Sequence, residues 1–207
     1  MKKTAVSHKP GDIIELAGIK FVVLEDRGPV CSDSTESELF ILALESQGQS
    51  TFCDTNNYAE SKLKEAVDAW LYRLTEKLEA EGCNSGLIKH RVIDLTALDG
   101  YKGFGSLEVD AAPLTMDEAR KYAEVMPDPD EACWLATGWG GPEHFGSTGA
   151  LRVDSNGNWD GNDCSNSYGI RPALVISSLL LPSEDEPDLS EYSTDELLAE
   201  VRRRIEG

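Results

Sequence analysis

One long helical stripe constrains this chain more than any other feature. Between Asn57 and Glu81, the residues Leu63, Ala66, Val67, Trp70, Leu71, Leu74 and Leu78 recur at the i, i+3, i+4, i+7 spacing that puts apolar side chains on one helix face. Such a face must be buried, so Trp70 is expected in the core. Gly82 and Asn84-Ser85-Gly86 stop the helix. Upstream the period changes. Ile13–Leu16, Lys20–Leu24 and Glu38–Leu44 read as three strands of an antiparallel meander, with Ala17-Gly18 as a tight turn and a polar loop around Gly28-Pro29.

Downstream, Leu87–Leu95 reads as a strand, followed by a loop through Gly100, Gly103 and Gly105. That loop lacks the Gly-Lys-Ser/Thr that a phosphate loop requires. A second helix is expected from Thr115, whose side chain forms a capping box with Glu118, to just before Pro127, with Ala119, Tyr122, Ala123 and Met126 as its stripe. Cys133–Thr137 is a short apolar strand, and Gly138–Ser147 a Gly-rich loop. Ala150–Val153 then leads into an Asn156-Gly157 hairpin turn, a polar stretch runs from Asn158 to Tyr168, and Gly169–Ile176 closes the body as a strand. Strands, helix, strand, helix, then loops and strands predict an α+β domain.

The chain has 207 residues, with 38 acidic and 19 basic side chains and a net charge of −19. That balance argues against nucleic acid, whose phosphates need clustered Lys and Arg, and against anionic membrane surfaces. Protein, sugar and small-molecule ligands remain as partners. Met1–Pro10 begins with basic residues but has no apolar core behind it, so cytoplasmic synthesis without export is expected, with virion association if a phage encodes the chain. Cys31, Cys53, Cys83, Cys133 and Cys164 are odd in number and form no Cys-x-x-Cys, which favours reduced, mostly buried thiols over zinc or a disulfide framework. The expected organisation is a domain over residues 1–181, an acidic linker over 182–192 and a C-terminal helix over 193–207. That helix opens with the capping box Ser193–Glu196 and carries Leu197, Leu198, Val201 and Ile205 on one face, which could mediate self-association. Residues 182–207 hold nine acids and three arginines, so the body itself carries −13.

The second half of the chain resembles an uncharacterised family of bacterial and phage domains. The matching segments are Leu114-Thr115, Trp134-Leu135-Ala136-Thr137, Val153 with Gly157, and Gly169-Ile170-Arg171-Pro172-Ala173-Leu174; upstream, Ser61, Leu63, Trp70 and Leu71 match the family's first helix. The resemblance spans residues 10–178 and departs at Ala136, where the family usually has Arg. It implies a C-type lectin-like fold, in the branch that includes formylglycine-generating enzymes and the variable proteins of diversity-generating retroelements: a mixed sheet, two helices and long loops that display the ligand face.

A Cys–His site would need Cys53, Cys133 or Cys164 beside His90 or His144, and none lies in a nucleophile motif. The paired copper-binding cysteines of the sulfatase-modifying enzymes have no counterpart here. No cofactor is expected. Ca²⁺ is the one ion that Asp154–Asp163 could hold, but the sixth position is Trp159 rather than Gly and the twelfth is Ser165 rather than Glu, so turn chemistry is the stronger reading. The sharpest expectation is a non-catalytic recognition face between residues 138 and 168. It comprises Trp139, His144, Phe145, Asp154, Asn158, Trp159, Asp160, Asn162, Asp163, Asn166, Tyr168 and Arg171, a mixture of rigid aromatics and small polar groups typical of recognition loops. Trp139 and Trp159 are the expected exposed anchors. Arg171 has a competing structural role, satisfying loop carbonyls with its five donors. The alternatives are an enzyme on the same fold with a Cys/His or carboxylate site, and an acidic decoy or inhibitor of a basic protein.

Overall fold

A computed structural model describes residues 8–31, 36–144 and 146–181. The expected linker, the C-terminal helix and Phe145 lie outside the described residues. The meander forms as expected: β1 (Ile13–Leu16), β2 (Ile19–Pro29) and β3 (Ser37–Ala43) pair antiparallel, with positive φ at Ala17 and Gly18 making the first turn. β2 continues five residues past the expected end at Leu24. After β4 (Gln49–Thr51) and a 3₁₀ turn, α1 (Lys62–Ala80) begins at Ser61, which accepts the Lys64 amide at 3.0 Å. It ends in a Schellman arrangement: Gly82, at φ 80°, donates to Glu79 and Cys83 donates to Leu78.

The expected strand Leu87–Leu95 is two strands in different sheets, β5 (Ile88–Lys89) and β6 (Arg91–Asp94). Two strands unseen in the sequence follow, β7 (Ser106–Val109) and β8 (Ala111–Ala112). The capping box at Thr115 and Glu118 is present, but α2 (Met116–Lys121) stops well before Pro127, and Ala123 is exposed. β9 (Cys133–Gly138) is wholly buried. β10 (Gly149–Val153) and β11 (Trp159–Asp163) make the hairpin around Asn156-Gly157. The stretch expected to be polar loop thus contains β11 and β12 (Ser167–Gly169). The expected closing strand is likewise divided between β12 and β13 (Ala173–Ser177).

The result is a mixed α+β fold. One sheet has the order β1-β2-β3-β13-β5, with β8 also paired to β13. The second runs β11-β10-β9-β12-β4, and β6 pairs with β7. The first sheet is covered on both faces. Phe21, Val23, Leu39, Ile41, Leu174 and Ile176 pack in the cluster that contains the α1 stripe, whereas Val22, Leu24, Phe40, Leu42, Ala173 and Val175 pack towards α2 and the second sheet. Burial on both faces explains why these strands read as unbroken apolar runs. Of the five cysteines only Cys133 and Cys164 are buried; Cys53 and Cys83 are half-buried and Cys31 is exposed, which corrects the expectation of mostly buried thiols. No helix among the described residues is long and apolar enough to cross a membrane.

Candidate functional site

The second sheet carries most of the expected binding residues, and its burial falls off strand by strand. β9 is buried throughout, β10 is half-buried at two of its five positions, and β11, on the sheet's outer edge, is largely exposed. Strand alternation then divides the expected residues between two faces.

On one face a row crosses the strands from core to rim. The buried Trp134 ring meets Tyr168 edge-on at 4.9 Å, Arg152 lies over the Tyr168 ring at 4.7 Å, and Arg152 Nη2 reaches Asp160 at 3.3 Å. Asn162 shares this face of β11, and its Oδ1 accepts from Asn166 Nδ2 at 2.7 Å. On the other face Trp159 stands opposite Val153 and is 36% exposed. Trp159 is therefore placed as the sequence suggests.

Trp139 is not. It packs on the cluster of Leu135, Leu151 and Val153, against the backbones of Gly146 and Gly161. A Cβ on Gly161 would come within 1.6 Å of the Trp139 ring. Glycine inside a strand marks a close approach, and here the approaching group is an indole.

The hairpin tip is organised by one carboxylate. Asp154 accepts the amides of Asn156 (2.8 Å) and Asn158 (2.9 Å), and the Asn158 side chain at 3.2 Å. These hydrogen bonds hold its carboxyl below the usual aspartate range. Asp163 is lowered similarly by Ser165, whose amide it accepts at 2.8 Å. The acids of the expected loop thus serve local turns. Among the described residues no three His, Cys, Asp or Glu side chains converge as a metal-binding group.

His144 lies at the other end of β9, about 20 Å along the strand from the hairpin tip. Its Nδ1 is 2.5 Å from Asp99, which also accepts the amides of Gly141 (3.0 Å) and Tyr101 (2.9 Å). The two amides, and then His144, hold the Asp99 carboxyl down at about 2. From inside, the loop after β9 is held by Asn56, which is 2% exposed and whose Nδ2 donates to Gly140 at 2.6 Å. Neither Asp99 nor Asn56 was a candidate in the sequence; Asp99-Gly100 reads as turn chemistry and Asn56 carries no local signal.

Arg171 is interior. It is 5% exposed, and its Nε and Nη1 donate to the carbonyls of Ala43 (2.7 Å) and Pro127 (2.8 Å). It sits where the chain crosses between the two sheets in both directions: Ala43 donates to Pro172, Gln47 to Ile170 and Ile170 to Gly48. The structural role anticipated for its donors is the one it fills.

The two histidines that a Cys–His site would require have carboxylate partners instead, His144 with Asp99 and His90 with Asp110. Burial pushes the Cys133 and Cys164 thiols up to about 12, which keeps them protonated. A polar cleft of about 200 Å³ opens between residues 94–100 and α2, lined by Asp94, Thr96, Leu98, Thr115, Asp117 and Arg120. Its walls come from separate segments, so nothing in the linear sequence announces it.

Comparison with protein-family models, with curated proteins and with solved structures gives no match. The class that the fold defines is α+β, and function must be argued from the surface itself.

Proposed function

We propose that this chain is a C-type lectin-like recognition domain of a bacterial or phage protein. It binds a polar, uncharged or cationic ligand through the outer edge of its second sheet. The observation that carries this reading is the Tyr168–Arg152–Asp160 row, extended by Asn162 and Asn166, with the exposed Trp159 on the other face of the same edge strand. Donors, acceptors and an aromatic are presented there on a sheet whose interior is fixed, so little order is lost on binding. With Arg171 withdrawn into the core, Arg152 is held by Asp160 and lies within electrostatic reach of Asp154, which disfavours anionic ligands. Family resemblance supports the lectin-like frame: Gly169–Leu174 lies at the sheet crossing, and Ser61 caps α1.

The test is a screen of the immobilised full chain against a neutral glycan library and a basic peptide library. Trp159→Ala and Asp160→Ala should each lower affinity at least about tenfold, as for central anchors. Equal binding by wild type and both variants contradicts the reading.

The Asp99–His144 pair favours a second reading, an enzyme. A carboxylate on Nδ1 fixes the tautomer and leaves Nε2 as an acceptor, the arrangement of a general base. An activated-ester hydrolysis lost on His144→Gln would support it; the recognition reading predicts no turnover to lose.

A further inference from the structure

We propose that Cys53 and Cys164, about 110 residues apart in sequence, form a reversible disulfide that locks the outer sheet. The two lie backbone to backbone. The amides of Phe52 and Cys53 both donate to the Cys164 carbonyl, at 3.0 and 3.2 Å. Cys164 in turn donates to Thr148 at 2.8 Å, so its backbone is held from both sides. A single amide-to-carbonyl bond of this length keeps the two Cα atoms within roughly 7 Å, a range that overlaps the span of a disulfide. The two thiols also lie within electrostatic reach of each other, a charge on Cys53 adding to the burial and the Asp163 charge that push the Cys164 thiol up. Cys53 is half-buried, whereas Cys164 is buried in the core.

A small-molecule disulfide such as oxidised glutathione supplies the oxidant. The Cys53 thiolate attacks one glutathione sulfur, forming a mixed disulfide and expelling glutathione thiolate, which takes up a proton. Cys164 then loses its proton, attacks the Cys53 sulfur and expels the second glutathione. Two protein thiols are oxidised and one disulfide is reduced to two thiols. With its thiol raised to about 12, Cys164 makes the second step the slow one.

The bridge would tie β4 to the turn after β11. Three residues beyond Cys53, Asn56 holds the loop after β9, so oxidation stiffens both supports of the outer surface. That last consequence rests on the recognition reading; the pairing does not.

The experiment exposes the full-length chain at pH 8 to oxidised glutathione, blocks free thiols by alkylation, and maps unreduced peptides by mass spectrometry. The expected product joins Cys53 to Cys164, preceded by glutathione on Cys53. Cys164→Ser should trap that mixed disulfide, and oxidation of the wild type should slow amide exchange at Phe52 and Cys53 at least about tenfold. Reduced Cys53 and Cys164 in a chain whose Cys31 has taken up glutathione would overturn the proposal, as would a bridge between other cysteines. Failure of ligand capture in the Trp159 experiment would leave the mapped peptide unchanged, so the two ideas fail separately.

Discussion

The two sheets are held by different means. In the first, β3 and β13 lie between α1 on one side and α2 with the second sheet on the other. Their side chains are almost all buried, and the residues on the two faces belong to two apolar clusters. Stability there comes from removing apolar surface from water. In the outer half of the second sheet, side chains turn back on the backbone. Asp154 closes the hairpin tip, Asp160 accepts the Gly161 amide and Asn162 the Asp163 amide, both within one residue. These last two bonds occupy amides on the edge strand, a local form of protection against pairing with another chain. A region built by burial has little surface to spare for a ligand. One built by short polar bonds displays its surface and tolerates substitution, which is where a binding face can sit.

That contrast can be broken at graded points. The largest effect should follow Leu174→Ala, in β13 and fully buried, which should destabilise the fold by about 2–5 kcal/mol in urea unfolding. Asn56→Ala should cost about 1–3 kcal/mol, because the Gly140 carbonyl loses its donor inside the protein. Loosening of the loop after β9 would appear as faster amide exchange over residues 138–148. Asp99 gives the same loop an acid limit. Its carboxyl titrates at about 2 in the fold against an ordinary 3.8, so its contribution is complete above pH 4 and is lost as pH falls towards 2. Fluorescence of the nearby Trp139 should report that loss, and Asp99→Asn should remove the pH dependence. Asp160→Ala with Asn162→Ala should leave stability within about 0.5 kcal/mol while raising self-association, seen by light scattering, because the edge amides are freed.

The same contrast decides what could be read in the sequence. The α1 stripe, the meander and the Thr115–Glu118 capping box were legible because each is a local pattern with a fixed period or spacing. The breaks at His90 and at Arg171-Pro172 were not, since an apolar run carries no mark of which sheet each half joins. Trp139 and Trp159 sit in stretches of similar composition, yet their fates differ because Gly146 and Gly161 leave room for one indole, whereas the other stands on the edge strand and stays 36% exposed. A glycine within the polar strand β11 was the available clue. Asn56 and Asp99 act across 84 and 42 residues respectively, beyond the reach of any local pattern.

The central claim is that the outer hairpin displays its surface without holding the fold, and the two tryptophans test it most directly. Urea unfolding of Trp139→Ala and Trp159→Ala, measured side by side, should show a loss of about 3 kcal/mol for the first and within about 0.5 kcal/mol of wild type for the second. Equal losses, or a larger loss at Trp159, would contradict the account.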